Sequence, residues 1–286
     1  MPTFRNDVNL KRAIESIINQ SYKNIELIII DDNADINWNE KVKKIVSKYD
    51  DKIKLILLKN EKNIGSARSR NLGIEHSQGD YITFLDDDDV YLPDKIERQL
   101  VYIISERGDV CITDLFLFNE NEKLIRKRIH SYLVNENNLL ASHLKHHLTG
   151  TDTLMFKKEY LKKIGGFDEI DLGDEFYLVL KAILKKGKFV YLSGNYVKAY
   201  VHKSGVGMTA GKDKLQGENI LFNRKKEYFD LLNTRDVRYI IMRHNLVIAS
   251  CYLRMKKFHI FMFYILKAFN SSPLDFIKQV INVKKY

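Results

Sequence analysis

Gly79–Lys95 reads GDYITFLDDDDVYLPDK, an apolar strand run, Tyr81–Leu85, that stops at four consecutive aspartates, Asp86–Asp89. Carboxylates set side by side repel, and each raises the pKa of its neighbours. A divalent cation removes that cost. Mg²⁺ or Mn²⁺ takes hard oxygen ligands, one or two carboxylates together with substrate phosphates and water. Alternate residues leaving a strand point the same way, which pairs Asp86 with Asp88 as ligands. A solvated acidic turn is the plain alternative. The strand before the cluster and Val90–Lys95 after it favour the functional reading.

Working outward, the front half alternates helix and strand patterns. Leu10, Ala13, Ile14, Ile17 and Ile18 follow helical spacing. Ile25–Ile30, IELIII, fits a buried parallel strand and ends at Asp31-Asp32. A helix is expected over 40–49, a strand over Ile53–Leu58, and a helix over Ser66–Ser77, broken by Gln78-Gly79-Asp80. Pro93 suits a helix start, with Ile96 and Leu100 on one face. Val110–Phe118, Phe189–Leu192 and Tyr196–Val201 read as further strands. Strands alternating with helices predict an α/β fold with a mainly parallel sheet flanked by helices. In such sheets ligands bind beyond the carboxyl ends of the strands. Asp31-Asp32 and Asp86–Asp89 both fall there, so they are expected to converge on one crevice.

The chain has 286 residues, of which 45% are hydrophobic, enough for a sizeable core. Its two cysteines, Cys111 and Cys251, form no disulfide framework, so a reducing compartment is expected. The opening MPTFRNDVNL has no signal-peptide pattern. The longest apolar stretch, Phe258–Leu266, falls far short of a membrane span. The net charge is +10, and residues 196–286 carry 17 Lys/Arg against 6 Asp/Glu, so the basic excess lies there. From about 218 the pattern is helical and amphipathic. This predicts two regions, 1–217 and a basic helical extension over 218–286. The basic extension reads either as a solvated helical surface or as a surface attracted to anionic lipid or another polyanion. No nucleic-acid-binding motif is present, so no nucleic-acid partner is expected.

Several segments, in order, resemble family 2 glycosyltransferases of the GT-A, Rossmann-like fold. Gly79–Lys95 is similar to that family's metal-binding core. Pro2-Thr3-Phe4-Arg5-Asn6 resembles its Pro-Thr-aromatic turn, and Ile30-Asp31-Asp32 its Val-Asp-Asp step. Asn63-Ile64-Gly65 and Ser69-Arg70-Asn71-Leu72-Gly73 resemble its Asn-x-Gly and Ala-Arg-Asn-x-Gly elements. Gly165-Gly166-Phe167-Asp168-Glu169 resembles the turn before its catalytic helix. The likeness spans about residues 1–205, and this many motifs in order are far more specific than any one.

The resemblance implies roles residue by residue. Thr3, Asp31, Asp32, Asn63 and Arg70 would line a donor-nucleotide pocket, with Asp87 on its ribose or diphosphate side. A local turn role for Asn63 and a surface-cation role for Arg70 compete with this. Asp88 would be the direct metal ligand with Asp86 in support, and His202 would lie near metal and diphosphate. Inverting relatives carry Glu-Asp where this chain has Asp174-Glu175. By position Glu175 is the base, one methylene longer than usual, and Asp174 stands as the alternative. An acidic first turn stabilising a helix dipole explains either residue without catalysis. His143, His146 and His147 read as surface or acceptor-side residues.

The implied reaction moves a sugar, with inversion, from a nucleotide diphosphate-sugar, a UDP-sugar by preference, with Mn²⁺ or Mg²⁺ as cofactor. The acceptor would be a glycan or lipid-linked hydroxyl in bacterial capsular or other surface polysaccharide synthesis. The implied location is cytoplasmic, peripheral at the inner face of the plasma membrane. A glycoside hydrolase and a non-catalytic polyanion binder are the rival readings. One departure has a physical cost. The family pattern places an apolar strand ahead of Pro-Thr in mid-sheet, whereas Met1 directly precedes Pro2 here. A gap beside IELIII leaves strand edges unpaired, an aggregation liability. An apolar strand added upstream is therefore expected to raise the melting temperature, and equal melting temperatures with and without it would refute this.

Overall fold

The computed structural model describes residues 1–131, 138–148, 150–170, 173–201 and 211–283. The described parts of Met1–Asn137 and Leu148–Val201 form one compact unit, and those of Asn138–His147 and His202–Tyr286 a second. The boundary expected at 217/218 falls inside a helix, Gly211–Lys226.

In the first unit, β1 (Pro2–Thr3), β2 (Glu26–Asp31) and β3 (Lys54–Lys59) form a parallel sheet in that order. Helices α1 (Val8–Ile18), α2 (Ile36–Val46) and α3 (Ser66–His76) connect and follow these strands. The helix predicted over 40–49 begins earlier because Asp35 caps it, its carboxylate accepting the Trp38 N–H at 3.0 Å. The period-2 pattern of IELIII sorts β2 by face. Leu27 and Ile29 join Leu10, Ala13, Ile14 and Ile17 of α1 and Val42 and Val46 of α2 in one core. On the other face Ile30 meets α3, where a Cβ on Gly73 would lie 3.1 Å from Ile30 Cδ1.

The second sheet is mixed. It contains β4 (Tyr81–Thr83), β5 (Val90–Tyr91), β6 (Val110–Asn119), β7 (Leu124–Arg128), β8 (Leu154–Lys157) and β9 (Phe189–Val201). Its order is β4-β8-β6-β9-β5, with β7 on β6. β6 and β9 run parallel, and the other pairs are antiparallel. Helix α4 (Lys95–Ser105) packs on β6 and β9. The two strand-like stretches after Phe189 are one strand with an irregularity. Buried Asp114 sits at that register shift, accepting the Gly194 N–H at 3.1 Å and the Tyr191 hydroxyl at 2.7 Å.

Between β2 and β4 lies a cavity of about 980 Å³, lined by Leu27, Ile28, Ile82, Phe84 and Leu100 among others. Among the described residues, β1 pairs with β2 only at Ile30 and Asp31. The Met1 ammonium donates to Ile28 O at 2.9 Å, and burial lowers its pKa to about 5.

The second unit is helical. Helix α5 (Leu139–His146), drawn from mid-chain, packs on the later helix Thr234–Arg254. In sequence, its two segments flank helices α6 (Lys158–Lys163) and α7 (Asp174–Leu184) of the first unit. Its own helices continue as α8 (Gly211–Lys226), α9 (Thr234–Arg254), α10 (Phe258–Ser271) and α11 (Pro273–Val283). Asn138 and Asn233 cap α5 and α9. The surface reading of the histidines fails for His143, which is fully buried, while His146 and His147 are half-buried. His147 Nε2 lies 2.6 Å from the Nζ of buried Lys225. Among the described residues no helix is long and apolar enough to cross a membrane.

Candidate active site

The two acidic groups meet at one end of the first unit. Asp31 and Asp32 close β2, and β1 carries Thr3 beside them, paired with Asp31. Buried Asp32 organises the loops that follow β2 and β3. Its Oδ1 accepts from Asn60 Nδ2 and Ile64 N, both at 2.8 Å, and its Oδ2 accepts from Gly65 N at 2.9 Å. Gly65 reaches that position with φ 84°, a conformation that favours glycine. Three accepted bonds leave the carboxylate room for about one more donor. Asn63 Nδ2 donates to the Asp32 carbonyl at 3.2 Å. The Asp31 carboxylate is taken up by Asn33 and Asn39.

The four aspartates do not continue the strand. The Asp89 N–H donates to the Asp86 carbonyl at 3.2 Å and closes a turn. The alternation that paired Asp86 with Asp88 needs extended backbone, so the turn removes that argument for the pair. The turn instead brings Asp86 and Asp89 together with Asp152, with carboxylate oxygens all within 4.8 Å of one another. Asp152 Oδ1 accepts the Asp86 N–H at 2.8 Å, and Asp89 Oδ1 accepts the Tyr200 N–H at 2.8 Å. Burial, with Asp86 next in effect, pushes Asp152 up to about 7. Burial and Asp152 push Asp89 upward too. Such a group of hard oxygens suits Mg²⁺ or Mn²⁺.

Asp87 points back to β1. Its Oδ2 accepts from the Thr3 hydroxyl at 2.6 Å and the Phe4 N–H at 3.3 Å. Burial raises its pKa to about 6, against the lowering effect of bonds from Thr3 and Asn6. Asp88 is half-buried, and Arg12 Nη2 donates to its carbonyl at 2.8 Å. His202 lies outside the described residues.

Arg70 links this turn to α7. It is 6% exposed, which removes the surface-cation reading. Nη2 lies 2.6 Å from Asp86 Oδ1, and Nη1 lies 2.5 Å from Asp174 Oδ2. Within the described residues, its guanidinium is thus committed to two carboxylates rather than to the loops around Asp32. Gly173, at φ 78°, turns the chain into α7, and Asp174 Oδ1 accepts the Glu175 N–H at 2.9 Å. Burial, followed by the adjoining Asp174 carboxyl, raises Glu175 from 4.5 to about 8.

Sequence reasoning missed Asp152, Arg12 and Lys95. Lys95 is fully buried, bonded to Thr83 and set over the Tyr91 ring, and burial lowers its pKa to about 7. No local pattern around Thr151-Asp152-Thr153 distinguishes Asp152 from a loop aspartate. Its importance comes from β8 pairing beside β4, a long-range register.

Comparison with known proteins agrees with this layout. Residues 1–165 match the model of the glycosyl transferase family 2. An uncharacterized glycosyltransferase of Methanocaldococcus jannaschii is 32% identical over 183 residues, 63% of this chain and 61% of that protein. The minor teichoic acid biosynthesis protein GgaB of Bacillus subtilis is 24% identical over 280 residues, 96% of this chain but 30% of that protein. The chain therefore spans less than two thirds of these relatives' lengths. S. aureus TarS 1-349, solved in complex with UDP-GlcNAc, superposes with a TM-score of 0.62 at 15% identity, covering 92% of this chain and 88% of that one. That likeness bears on the fold, which is GT-A. A family match over more than half the chain, on a site with the acidic turn and acid pair in place, makes this chain a member of glycosyl transferase family 2.

Proposed function

We propose that the chain transfers a sugar, with inversion, from a UDP-sugar to a hydroxyl of a glycan or lipid-linked acceptor in surface polysaccharide synthesis. The observation that carries this reading is Arg70, which ties the acidic turn at Asp86 to the acid pair at the start of α7. Donor phosphate chemistry and acceptor activation thereby share one site. The similarity to GgaB and to a UDP-GlcNAc complex supports the substrate classes. The reading places the enzyme in the cytoplasm, at the inner membrane face.

Thr3, Asp31, Asp32, Asn63 and Asp87 line the nucleotide side, with Asp32 offering its remaining acceptor position to the base. Arg70 acts as a positioning residue between donor and acceptor sides. On this reading Asp86, Asp88 and His202 would hold Mn²⁺ or Mg²⁺, with Asp89 and Asp152 beside Asp86 to complete an acidic group. When bound, that ion supplies positive charge against the departing nucleoside diphosphate. Asp174 is occupied by Arg70 and the Glu175 amide, so Glu175 takes the proton from the acceptor hydroxyl. Holding both reactants in line and screening developing charge contribute much of the acceleration.

A screen of nucleotide diphosphate-sugars with Mn²⁺, read by thermal shift and nucleotide release, tests this. A UDP-sugar at about 100 times its Kd is expected to stabilise the protein by about 2.7 kcal/mol. Asp88→Asn is expected to abolish nucleotide release with the fold intact. No shift with any donor, or full turnover by Asp88→Asn, overturns the reading.

A further inference from the structure

Helices α10 and α11 leave apolar side chains in solvent. Only Ala268 of α10 is buried. Phe258, Met262, Phe263, Leu266 and Phe269 are 39–61% exposed, and their spacing lays them along one side of the helix. On α11, Leu274, Ile277 and Ile281 recur at i, i+3, i+7 and are 46–74% exposed. Exposed apolar stripes on successive helices exceed the scattered hydrophobic residues normal on a surface.

The exposed charges around them are positive. Arg254, Lys256 and Lys257 precede α10, Lys267 lies within it, and Lys278 lies on α11, all exposed. Lys267 is exposed, and its Nζ sits over the apolar side, 4.6 Å from the Phe263 ring centre and 5.5 Å from that of Tyr264. The one carboxylate of α10 and α11, Asp275, is half-buried and accepts from the Ser272 hydroxyl at 2.7 Å. At 14 residues α10 reaches about 21 Å, short of a hydrocarbon core of about 30 Å. An apolar side fringed by lysines, too short to span, matches a helix lying in the headgroup plane of an anionic bilayer.

We infer that the exposed sides of α10 and α11 are the membrane-docking surface, with Phe258, Met262, Phe263 and Leu266 entering the interface and Lys256, Lys257 and Lys267 meeting anionic headgroups. This gives a definite surface to the lipid-linked acceptor of the proposed function and rests on that reading for its purpose. Vesicle binding is measured without donor or acceptor, so its failure leaves sugar transfer untouched, and the donor screen fails independently of it.

The test is flotation of the full chain with phosphatidylcholine vesicles, with and without about one third phosphatidylglycerol. Binding is expected to anionic vesicles at low salt and to be at least about tenfold weaker to neutral ones. Phe263→Asp with Leu266→Asp is expected to abolish it, at an unchanged melting temperature because both sites are exposed. Lys256→Gln with Lys257→Gln is expected to weaken it about 30-fold. Absence of binding, equal binding to neutral vesicles, or binding untouched by both variant pairs overturns the assignment. So does concentration-dependent self-association that Phe263→Asp dissolves, since the surface would then belong to a second copy.

Discussion

Glu175→Gln is expected to lower sugar transfer by about 10²–10⁴-fold, the range for loss of a positioned general base, while donor binding persists and the melting temperature at pH 8 rises. The opposite signs share one cause. Folding buries Glu175 against Asp174 and raises its pKa from 4.5 to about 8. A carboxyl raised by folding contributes its full stability below pH 4.5, and that stability is lost as pH climbs through about 8. Glutamine cannot ionise, so the variant escapes the loss. Each 1 kcal/mol recovered corresponds to about 2–4 °C in a protein of this size. On the proposed mechanism the base form of Glu175 appears only as the proton leaves, so kcat/KM is expected to rise with pH up to about 8. Calorimetry and a pH–rate profile check both halves. Undiminished turnover by the glutamine variant would assign the proton to Asp174.

Arg70→Met is expected to cost about 3 kcal/mol, because it strands Asp174 as a buried charge without its counter-ion. Asp86 is more exposed and contributes less. The corresponding fall in melting temperature is about 6–12 °C. Arg70 also lowers the Glu175 pKa, so the rising limb of the pH–rate profile should move above about 8 in the variant. Arg70→Lys should not restore it, since one ammonium cannot reproduce the fork that reaches Asp86 and Asp174 together. A melting temperature within about a degree of the parent, with an unshifted profile, would show that the guanidinium is dispensable.

The GT-A architecture and the placement of both acidic groups were legible in the sequence because they depend on local patterns. IELIII followed by Asp31-Asp32, and YITFL followed by four aspartates, each mark a strand and its end. The details that the sequence does not carry depend on tertiary contacts. The Asp86–Asp89 turn is closed by a backbone bond, so i and i+3 meet where alternation predicted i and i+2. Arg70 belongs to a motif that the resemblance placed by the nucleoside, yet its burial commits it to Asp86 and Asp174. Asp152 enters through the register of β8 on β4, which no local window contains. His143 is buried by helix packing that its polar neighbours do not announce.

The cavity between β2 and β4 also bears on how the protein opens. Among the described residues, no backbone ladder joins the parallel sheet to the mixed one. Side chains join them instead, through one apolar core that holds Leu27 and Ile29 of the parallel sheet together with Cys111, Met155 and Val197 of the mixed one. The contacts that cross between them include Thr3 to Asp87 and Arg70 to Asp86. The candidate active site is thus a polar fastener between the two sheets added to their shared core, and a ligand that tightens it is expected to slow amide exchange where the parallel sheet borders it.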